Sequence, residues 1–141
     1  MKAFEETEFF ADLCAKMVHG IYCHINDPVR LIDGKPCPEY DVMVDPNNFS
    51  NVVCRHGVTV KPYLRPISSM TDEEMDKLFE ILKVDKDGKD DDWIKINDVV
   101  GIKFFFPTGR WIEDVAKAYD YLNSIHIDYR GLITMGIAVK T

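Results

Sequence analysis

Aspartates crowd a central glycine in the segment VDKDGKDDDWIKI, which resembles a calcium-binding loop. An EF-hand loop needs acidic or amide ligands at positions 1, 3 and 5, glycine at position 6 and a bidentate glutamate at position 12. With Gly88 at position 6, Asp85 and Asp87 fall at positions 3 and 5. Position 1 is then Lys83 and position 12 is Ile94, so both terminal ligands are wrong. The segment is therefore predicted to be a solvated acidic loop.

Side chains that zinc prefers are present in the first half of the chain, namely His19, Cys23, His24, Cys54 and His56. The spacing Cys54-x-His56 would place both side chains on one face if this segment formed a strand. No Cys-x-x-Cys pair and no zinc-finger spacing accompanies them. Because a thiol in an apolar pattern is more often a small core residue, we predict neither a metal nor a cofactor. The sequence leaves open whether Cys23, His24, Cys54 and His56 converge.

Nucleophilic catalysis has no local signature in this chain. A cysteine–histidine pair cannot be judged from sequence, because such partners meet only in the fold. The nucleophile elbow Gly-x-Ser-x-Gly, phosphate-binding glycine-rich loops and His-Glu-x-x-His are all absent from the sequence. No set of residues supplies a nucleophile, a base and an oxyanion donor together. We interpret the chain as non-enzymatic, with a small metal-dependent enzyme as an alternative.

Two tyrosine–arginine pairs are the candidate binding residues, Tyr63 with Arg65 and Tyr129 with Arg130. Each pair lies in a segment marked by proline or glycine, and tyrosine and arginine are typical anchors of protein interfaces. In the alternative interpretation the rings pack at the edge of the core and the arginine stems cover them. Both interpretations stay open at the level of sequence.

Three amphipathic helices are predicted to position these residues. The first has an apolar stripe of Phe10, Leu13, Cys14, Met17 and Val18. The second begins with a capping box made by Thr71 and Glu74, and continues with Met75, Leu78, Phe79 and Leu82. The third has a stripe of Trp111, Val115, Ala118, Tyr119 and Leu122.

Short β-prone segments separated by turn residues fill the region between the first two helices: IYCHI, VRLI, YDVMV, NVVCR and VTV. Pro62 and Pro66 are predicted to interrupt regular structure after them. Beyond the acidic loop, WIKINDVV and GIKFFF are predicted strands. The tail is predicted to form a turn or a short helix near Asp128 and to end in a short strand. We expect an α+β fold in which the N-terminal helix and two further amphipathic helices cover a small antiparallel sheet or partial barrel.

The 141 residues fit a single domain, with possible lobes at 1–68, which is β-rich, and 69–141. The net charge of −7 is concentrated between Asp72 and Asp98, where eleven acidic residues meet five lysines. This stretch is predicted to be a solvated face, and the alternatives are a docking surface for a basic partner or a mimic of nucleic acid. Without a basic stripe, binding to nucleic acid or to an anionic membrane is not expected. An acidic N-terminus and the lack of a long apolar run predict a cytoplasmic protein with reduced cysteines.

Two further stretches carry a family resemblance, KPYLRPISSMTDEE at 61–74 and HIDYRGLI at 126–133, the second followed by GIAV. They resemble the small uncharacterised proteins encoded by phages and prophages of gut anaerobic bacteria. That resemblance implies a β-rich first half similar to a small barrel, then a capped helix. It also implies a mobile-element origin and an accessory role inside a bacterial cell, but no particular activity.

Taken together, these features predict a small interaction or accessory protein whose partner is a host or phage protein. Two alternatives remain beside it. One is a protein that presents aromatic side chains to single-stranded nucleic acid, and the other is the metal-dependent enzyme. The net negative charge counts against the first of these.

Overall fold

Helices and strands alternate along the parts of the chain that the computed structural model describes, residues 3–83, 93–97, 101–105 and 112–141. In chain order they are α1 (Ala3–Met17), β1 (Ile21–Asn26), β2 (Leu31–Ile32), β3 (Lys35–Pro36), β4 (Glu39–Val44), α2 (Phe49–Val52), β5 (Thr59–Leu64), a 3₁₀ turn (Ile67–Ser69), α3 (Asp72–Leu82), β6 (Trp93–Asn97), β7 (Gly101–Phe105), α4 (Ile112–Ser124) and β8 (Val139–Lys140). The predicted acidic loop at 84–92 and the predicted helix residue Trp111 lie outside these ranges. No helix in the described ranges is both long and apolar enough to cross a membrane.

The central sheet has four strands in the order β4-β1-β5-β8. β1 pairs antiparallel with β4 and with β5, whereas β8 joins β5 in parallel. Two small hairpins, β2–β3 and β6–β7, form separate two-stranded sheets. The predicted α+β class is confirmed. The sheet is open and mixed, so of the two predicted architectures it is the sheet, not the partial barrel, that forms.

Period-two alternation decides which face of this sheet is buried. In β1, Ile21, Cys23 and Ile25 are fully buried, while the residues between them turn toward solvent. The first hydrophobic core lies under this face and draws on α1, the sheet and the C-terminal segment. Its buried members are Phe9, Leu13, Ile21, Cys23, Ile25, Val44, Val53, Val60, Leu64, Leu132 and Ala138.

The first helix is confirmed, but the prediction of its buried face is correct only in part: Leu13 is buried and Met17 packs against the core. Phe10 and Val18 of the predicted stripe are 49% and 68% exposed, and Cys14 is exposed as well. The buried face is instead formed by Phe9, Asp12, Leu13 and Lys16. Two of these four side chains are charged, so apolar periodicity contains no signal that they are buried.

A second core joins α3, α4 and the turn after α4, through Ile67, Leu78, Leu82, Ala118, Leu122, Ile127 and Tyr129. The predicted capping box of α3 is confirmed. The Glu74 N–H donates to the Thr71 hydroxyl at 3.1 Å, and the Thr71 N–H donates to the Glu74 carboxylate at 2.9 Å. Two described members of the predicted α4 stripe, Ala118 and Leu122, are fully buried in this core.

The segment NVVCR was wrongly predicted as a strand, because α2 occupies part of it. The carboxylate of Asp45 accepts bonds from the N–H groups of Asn47 and Asn48 at 2.8 and 3.2 Å. The Asn48 side chain in turn accepts from the Asp45 N–H at 2.9 Å. These local side-chain bonds wind the chain into a turn that leads directly into Phe49, and they override the β propensity of the valines.

Pro62 was wrongly predicted to interrupt regular structure, since β5 runs through it. Along an antiparallel ladder, hydrogen-bonded residue pairs alternate with non-bonded ones. The bond from the Asp27 N–H to the Pro38 carbonyl shows which residues of β1 bond to β4, so the residues between them bond to β5. By this alternation, the Pro62 nitrogen points away from β1. On that side β8 pairs only with Tyr63 and Leu64. The missing N–H of proline therefore falls at a free edge, where it is tolerated.

Candidate functional site

Nine side chains in three rows cover the solvent side of the sheet, and we call this surface the open sheet face. Each of β4, β1 and β5 contributes every second residue: Glu39, Asp41 and Met43; Tyr22, His24 and Asn26; Thr59, Lys61 and Tyr63. The register aligns Asp41 with His24 and His24 with Lys61 across the three strands. A row of charged and titratable groups thus crosses the middle of the face.

The carboxylate of Asp41 organises that row. The hydroxyl of Tyr63 donates to Asp41 Oδ1 at 2.9 Å, and His24 Nδ1 lies 2.9 Å from the same oxygen. Because an ionised carboxylate only accepts, Nδ1 must carry the proton. His24 Nε2 lies 3.5 Å from the Glu39 carboxylate, so both ring nitrogens face an acid.

These contacts shift three pKa values in a consistent way. The hydrogen bond to Asp41 is the main cause that raises the pKa of His24. The bonds from His24 and Tyr63 hold the pKa of Asp41 below its usual value, and the same bond raises the pKa of Tyr63. At neutral pH the face therefore presents an ionised Asp41 and a protonated Tyr63 phenol.

A depression of about 430 Å³ lies beside this row, lined by His24, Asn26, Glu39, Thr59, Lys61 and Val139. It is open to solvent and contains both charge signs. Tyr22 and Met43 lie next to this row on the open sheet face, directly opposite each other on β1 and β4, and are 52% and 41% exposed. The open sheet face thus combines an aromatic and apolar end with an ionic middle, a combination that is typical of interaction surfaces.

Nucleophilic chemistry is not supported by this arrangement. An aspartate that orients a histidine is one part of a hydrolytic triad, and Asp41 with His24 has that geometry. The neighbouring Cys23, however, points into the core, where burial raises the pKa of its thiol to about 12. Cys23 and His24 lie on opposite sides of the sheet, so they do not form the pair that the sequence left open.

The other potential zinc ligands are also separated. Cys54 and His56 follow α2 in a bend rather than on a strand, and both are exposed. All four cysteines are free thiols. Among the residues that the structure describes, no three His, Cys, Asp or Glu side chains are grouped to hold a metal ion.

Arg65 joins the two stretches that carry the family resemblance. Its guanidinium makes a bidentate ion pair with Glu74, with both bonds at 2.8 Å, and also bonds the Ser69 carbonyl and hydroxyl. Its backbone N–H donates to the His126 carbonyl, and its carbonyl accepts from the Asp128 N–H, each at 2.9 Å. The pKa of Glu74 is lowered to about 2, chiefly by Arg65. These contacts within the fold give Arg65 a structural role, so they explain its presence without a binding partner.

Tyr129 and Arg130 lie in a different place from Tyr63. Tyr129 is only 5% exposed, with the Lys16 ammonium 4.5 Å and the Arg130 guanidinium 5.3 Å from its ring centre. Lys16 pairs with Asp12 and donates to Asn123 at 3.1 Å, and Arg130 Nε lies 3.5 Å from Asp12. We call these five residues the buried cluster. Of the four predicted binding residues, only Tyr63 belongs to the open sheet face.

Sequence reasoning missed His24, Asp41, Glu39 and Lys61 as partners. The signal that could have found them was the alternation itself. Once β1 and β4 bury their apolar residues, the polar residues between them must share the other face. Their exact pairing depends on strand register, which no short stretch of sequence specifies.

No family model matches this chain, and neither a curated protein nor a solved structure is significantly similar to it.

Proposed function

We propose that the protein is a non-enzymatic interaction module that binds a basic segment of a partner protein on its open sheet face. The observation that carries this proposal is the exposed Asp41 carboxylate beside Glu39, with the pKa of Asp41 lowered by the hydrogen bonds from His24 and Tyr63. Two carboxylates close together attract a lysine or arginine, and charge-assisted hydrogen bonds to carboxylates are the stronger kind.

The surroundings of the two carboxylates suit the same partner. Arginine and lysine side chains pack their cations on aromatic faces, and the exposed Tyr22 lies next to the ionic row, opposite Met43. The exposed Met43 beside it offers an adaptable apolar contact. A net charge of −7 on the whole chain would further favour encounters with a basic partner.

Single-stranded nucleic acid fits this surface less well. Two tyrosines and a lysine on a sheet face are the kind of groups on which bases stack. The phosphates, however, would have to approach Glu39 and Asp41, and the latter has a pKa lowered by its hydrogen bonds. The resemblance to phage and prophage proteins leads us to propose further that the partner is a host or phage protein inside a bacterial cell.

The experiment compares three forms of the full chain on a resin with nuclease-treated bacterial lysate. They are the wild type, a Glu39→Gln/Asp41→Asn variant, and a control Glu73→Gln/Glu80→Gln variant with the same charge change on exposed positions of α3. A protein retained by the wild type and the control, but not by the open-face variant, is identified, purified and titrated directly.

We expect the affinity of that protein to fall at least about tenfold in the open-face variant, which corresponds to about 1.4 kcal/mol. We also expect the wild-type affinity to weaken as salt is added. Equal retention by all three forms would refute the proposal. A labelled single-stranded oligonucleotide that bound at low salt with the same dependence on Tyr22 and Tyr63 would favour the nucleic-acid alternative.

A further inference from the structure

One edge of the central sheet is formed by β4, which among the described strands pairs only with β1. The phase of its hydrogen bonds can be derived. The Asp27 N–H donates to the Pro38 carbonyl at 2.8 Å, so position 38 faces β1. Because bonded and non-bonded pairs alternate in antiparallel sheets, Tyr40 and Val42 also face β1. The N–H and C=O groups of Glu39, Asp41 and Met43 therefore point away from the sheet.

An independent contact supports this phase. The side-chain amide of Asn48 donates to the Met43 carbonyl at 2.8 Å, which requires that carbonyl to lie outside the β1–β4 ladder. The same contact covers the end of the edge at Met43. The backbone groups of Glu39 and Asp41 remain along the outward side, and an added strand would bond to them.

The outward backbone and the carboxylates belong to the same two residues. Glu39 and Asp41 direct their side chains to the open sheet face. A strand added at this edge would form bonded pairs with these two residues, and its side chains at those positions would point to the same face. Two side chains of the added strand, at alternate positions, would thus each lie opposite a carboxylate.

A second copy of this chain is a poor occupant for the edge. If two β4 strands paired antiparallel about Tyr40 or Asp41, carboxylates would lie directly opposite one another, and like charges at such positions are destabilising. Charged side chains on an edge are a known device against self-association. A strand with cations at alternate positions turns the same feature into attraction.

We infer that the partner's basic segment adds to β4 as an extra strand, with lysine or arginine at every second position, opposite Glu39 and Asp41. This inference rests on the proposed function and specifies its geometry. Backbone pairing along the edge would supply general affinity, and the alternating cations would supply the selection.

The test uses a blocked octapeptide of alternating lysine and threonine, compared with an isomer that has its four lysines followed by its four threonines. Binding to the full chain is followed by NMR together with amide hydrogen exchange. The alternating peptide is expected to bind several-fold tighter than its isomer and to slow exchange at the Glu39 and Asp41 amides. The Tyr40 and Val42 amides, already bonded to β1, serve as internal controls.

Two methylated peptides separate strand addition from simple charge attraction. Methylation of the lysine amides removes the donors that would face β4, whereas methylation of the threonine amides alters groups that point away. Only the first is expected to abolish binding. The Glu39→Gln/Asp41→Asn protein is expected to lose the preference for the alternating peptide.

Several results would overturn the inference. They are equal binding by the two isomers, equal effects of the two methylations, unchanged exchange at Glu39 and Asp41, or no binding by any of the peptides. In each case the proposed function would still stand if a captured partner depended on these carboxylates. It would fall separately if capture from lysate proved independent of them.

Discussion

The buried cluster and the open sheet face contain similar residues in opposite surroundings. Each has an aspartate, a basic side chain and a tyrosine close together, but Asp12 and Lys16 are completely buried, whereas half of the Asp41 side chain is exposed. Burial raises the pKa of Asp12 and lowers that of Lys16. Hydrogen bonds, by contrast, dominate the shifts at Asp41 and His24.

This difference indicates which charges serve the fold and which are available to a partner. A buried ion pair has lost its water, so removal of one member leaves an uncompensated charge in a medium of low polarity. An exposed pair keeps most of its hydration and contributes little to stability. The buried cluster is therefore expected to hold α1 against α4, while the open sheet face is free to exchange its solvent contacts for those of a ligand.

The largest effect is predicted at Lys16. Lys16→Met removes the cation but keeps the stem, and it leaves the Asp12 carboxylate buried, with Arg130 Nε 3.5 Å away. We expect a loss of about 3–5 kcal/mol in the free energy of unfolding, measured by urea denaturation. The double variant Asp12→Leu/Lys16→Met, which removes both charges, should recover most of that loss. A loss below about 1 kcal/mol for the single variant would place this pair with the exposed ones.

The Arg65–Glu74 pair lies between the two extremes, because its side chains are 29% and 18% exposed. Glu74→Gln is expected to cost about 2 kcal/mol, since it weakens a bidentate charge-assisted bond and part of the capping box. The pKa of Glu74 is lowered to about 2 in the fold. The stabilisation is therefore present above the unfolded pKa and is lost as pH falls through the folded value.

Denaturation midpoints of wild type and Glu74→Gln are thus expected to converge as pH falls from about 5 toward 2. Thr71→Ala is the matched control, because it breaks the same capping box without touching the ion pair. It should cost about 1 kcal/mol, with little dependence on pH. A constant difference between Glu74→Gln and wild type across this range would show that the ion pair is not what Glu74 contributes.

At the exposed end of the comparison, Asp41→Asn is expected to leave the denaturation midpoint unchanged while it weakens partner binding. The asparagine keeps the shape and can still accept from Tyr63 and His24, but it loses the charge that attracts a cation. Urea denaturation and a titration with the purified partner or the alternating peptide measure the two quantities on one sample. A variant that lost stability but not affinity would reverse the assignment of the two clusters.

The exposed site was not predicted, but the sequence contains a clearer signal for it than for the buried cluster. Alternation in IYCHIN and EYDVMV is a local signal, and it is sufficient to separate Tyr22, His24 and Asp41 from the core. Asp12 and Lys16, spaced four apart on a helix, have the usual pattern of a solvent-exposed ion pair. Only the packing of α4 and of the turn at Tyr129 against α1 makes them a buried pair, and that is a long-range fact.

The parts of the fold that could not be predicted are of the same long-range kind. The predicted short strand of the tail is confirmed as β8, but its parallel pairing with β5 is a long-range contact that was not predicted. Arg65 makes hydrogen bonds to residues about sixty positions further along the chain: its side chain bonds Ile125, and its backbone bonds His126 and Asp128. Where local signals were strong and agreed, as at Thr71 with Glu74, the prediction was confirmed; where valines competed with Asp45 and Asn48, the side-chain bonds decided.

The smallest predicted effects concern two histidines whose pKa values shift in opposite directions. Acidic neighbours raise the pKa of His24 on the open sheet face. Burial lowers the pKa of His126, and the nearby Lys16, His19 and Arg65 lower it further. Its Nε2 is buried without a hydrogen-bond partner within the described part of the chain. An NMR titration of the ring protons should therefore give a higher midpoint for His24 than for His126.

The consequences for stability have opposite signs. The contribution of His24 is fully present below its unfolded pKa and is lost as pH rises through its folded value. Protonation of His126 instead opposes the fold, so His126→Asn should become less destabilising relative to wild type as pH falls below about 6.5. If acid lowered the free energy of unfolding equally in the wild type and in His126→Asn, then protonation of His126 would not affect stability. Of these two histidines, only His24 would then make stability depend on pH. Such a result would restrict the pH dependence that comes from these histidines to the open sheet face. Protonation of His24 there would add a positive charge and reduce the attraction for a basic segment of the partner.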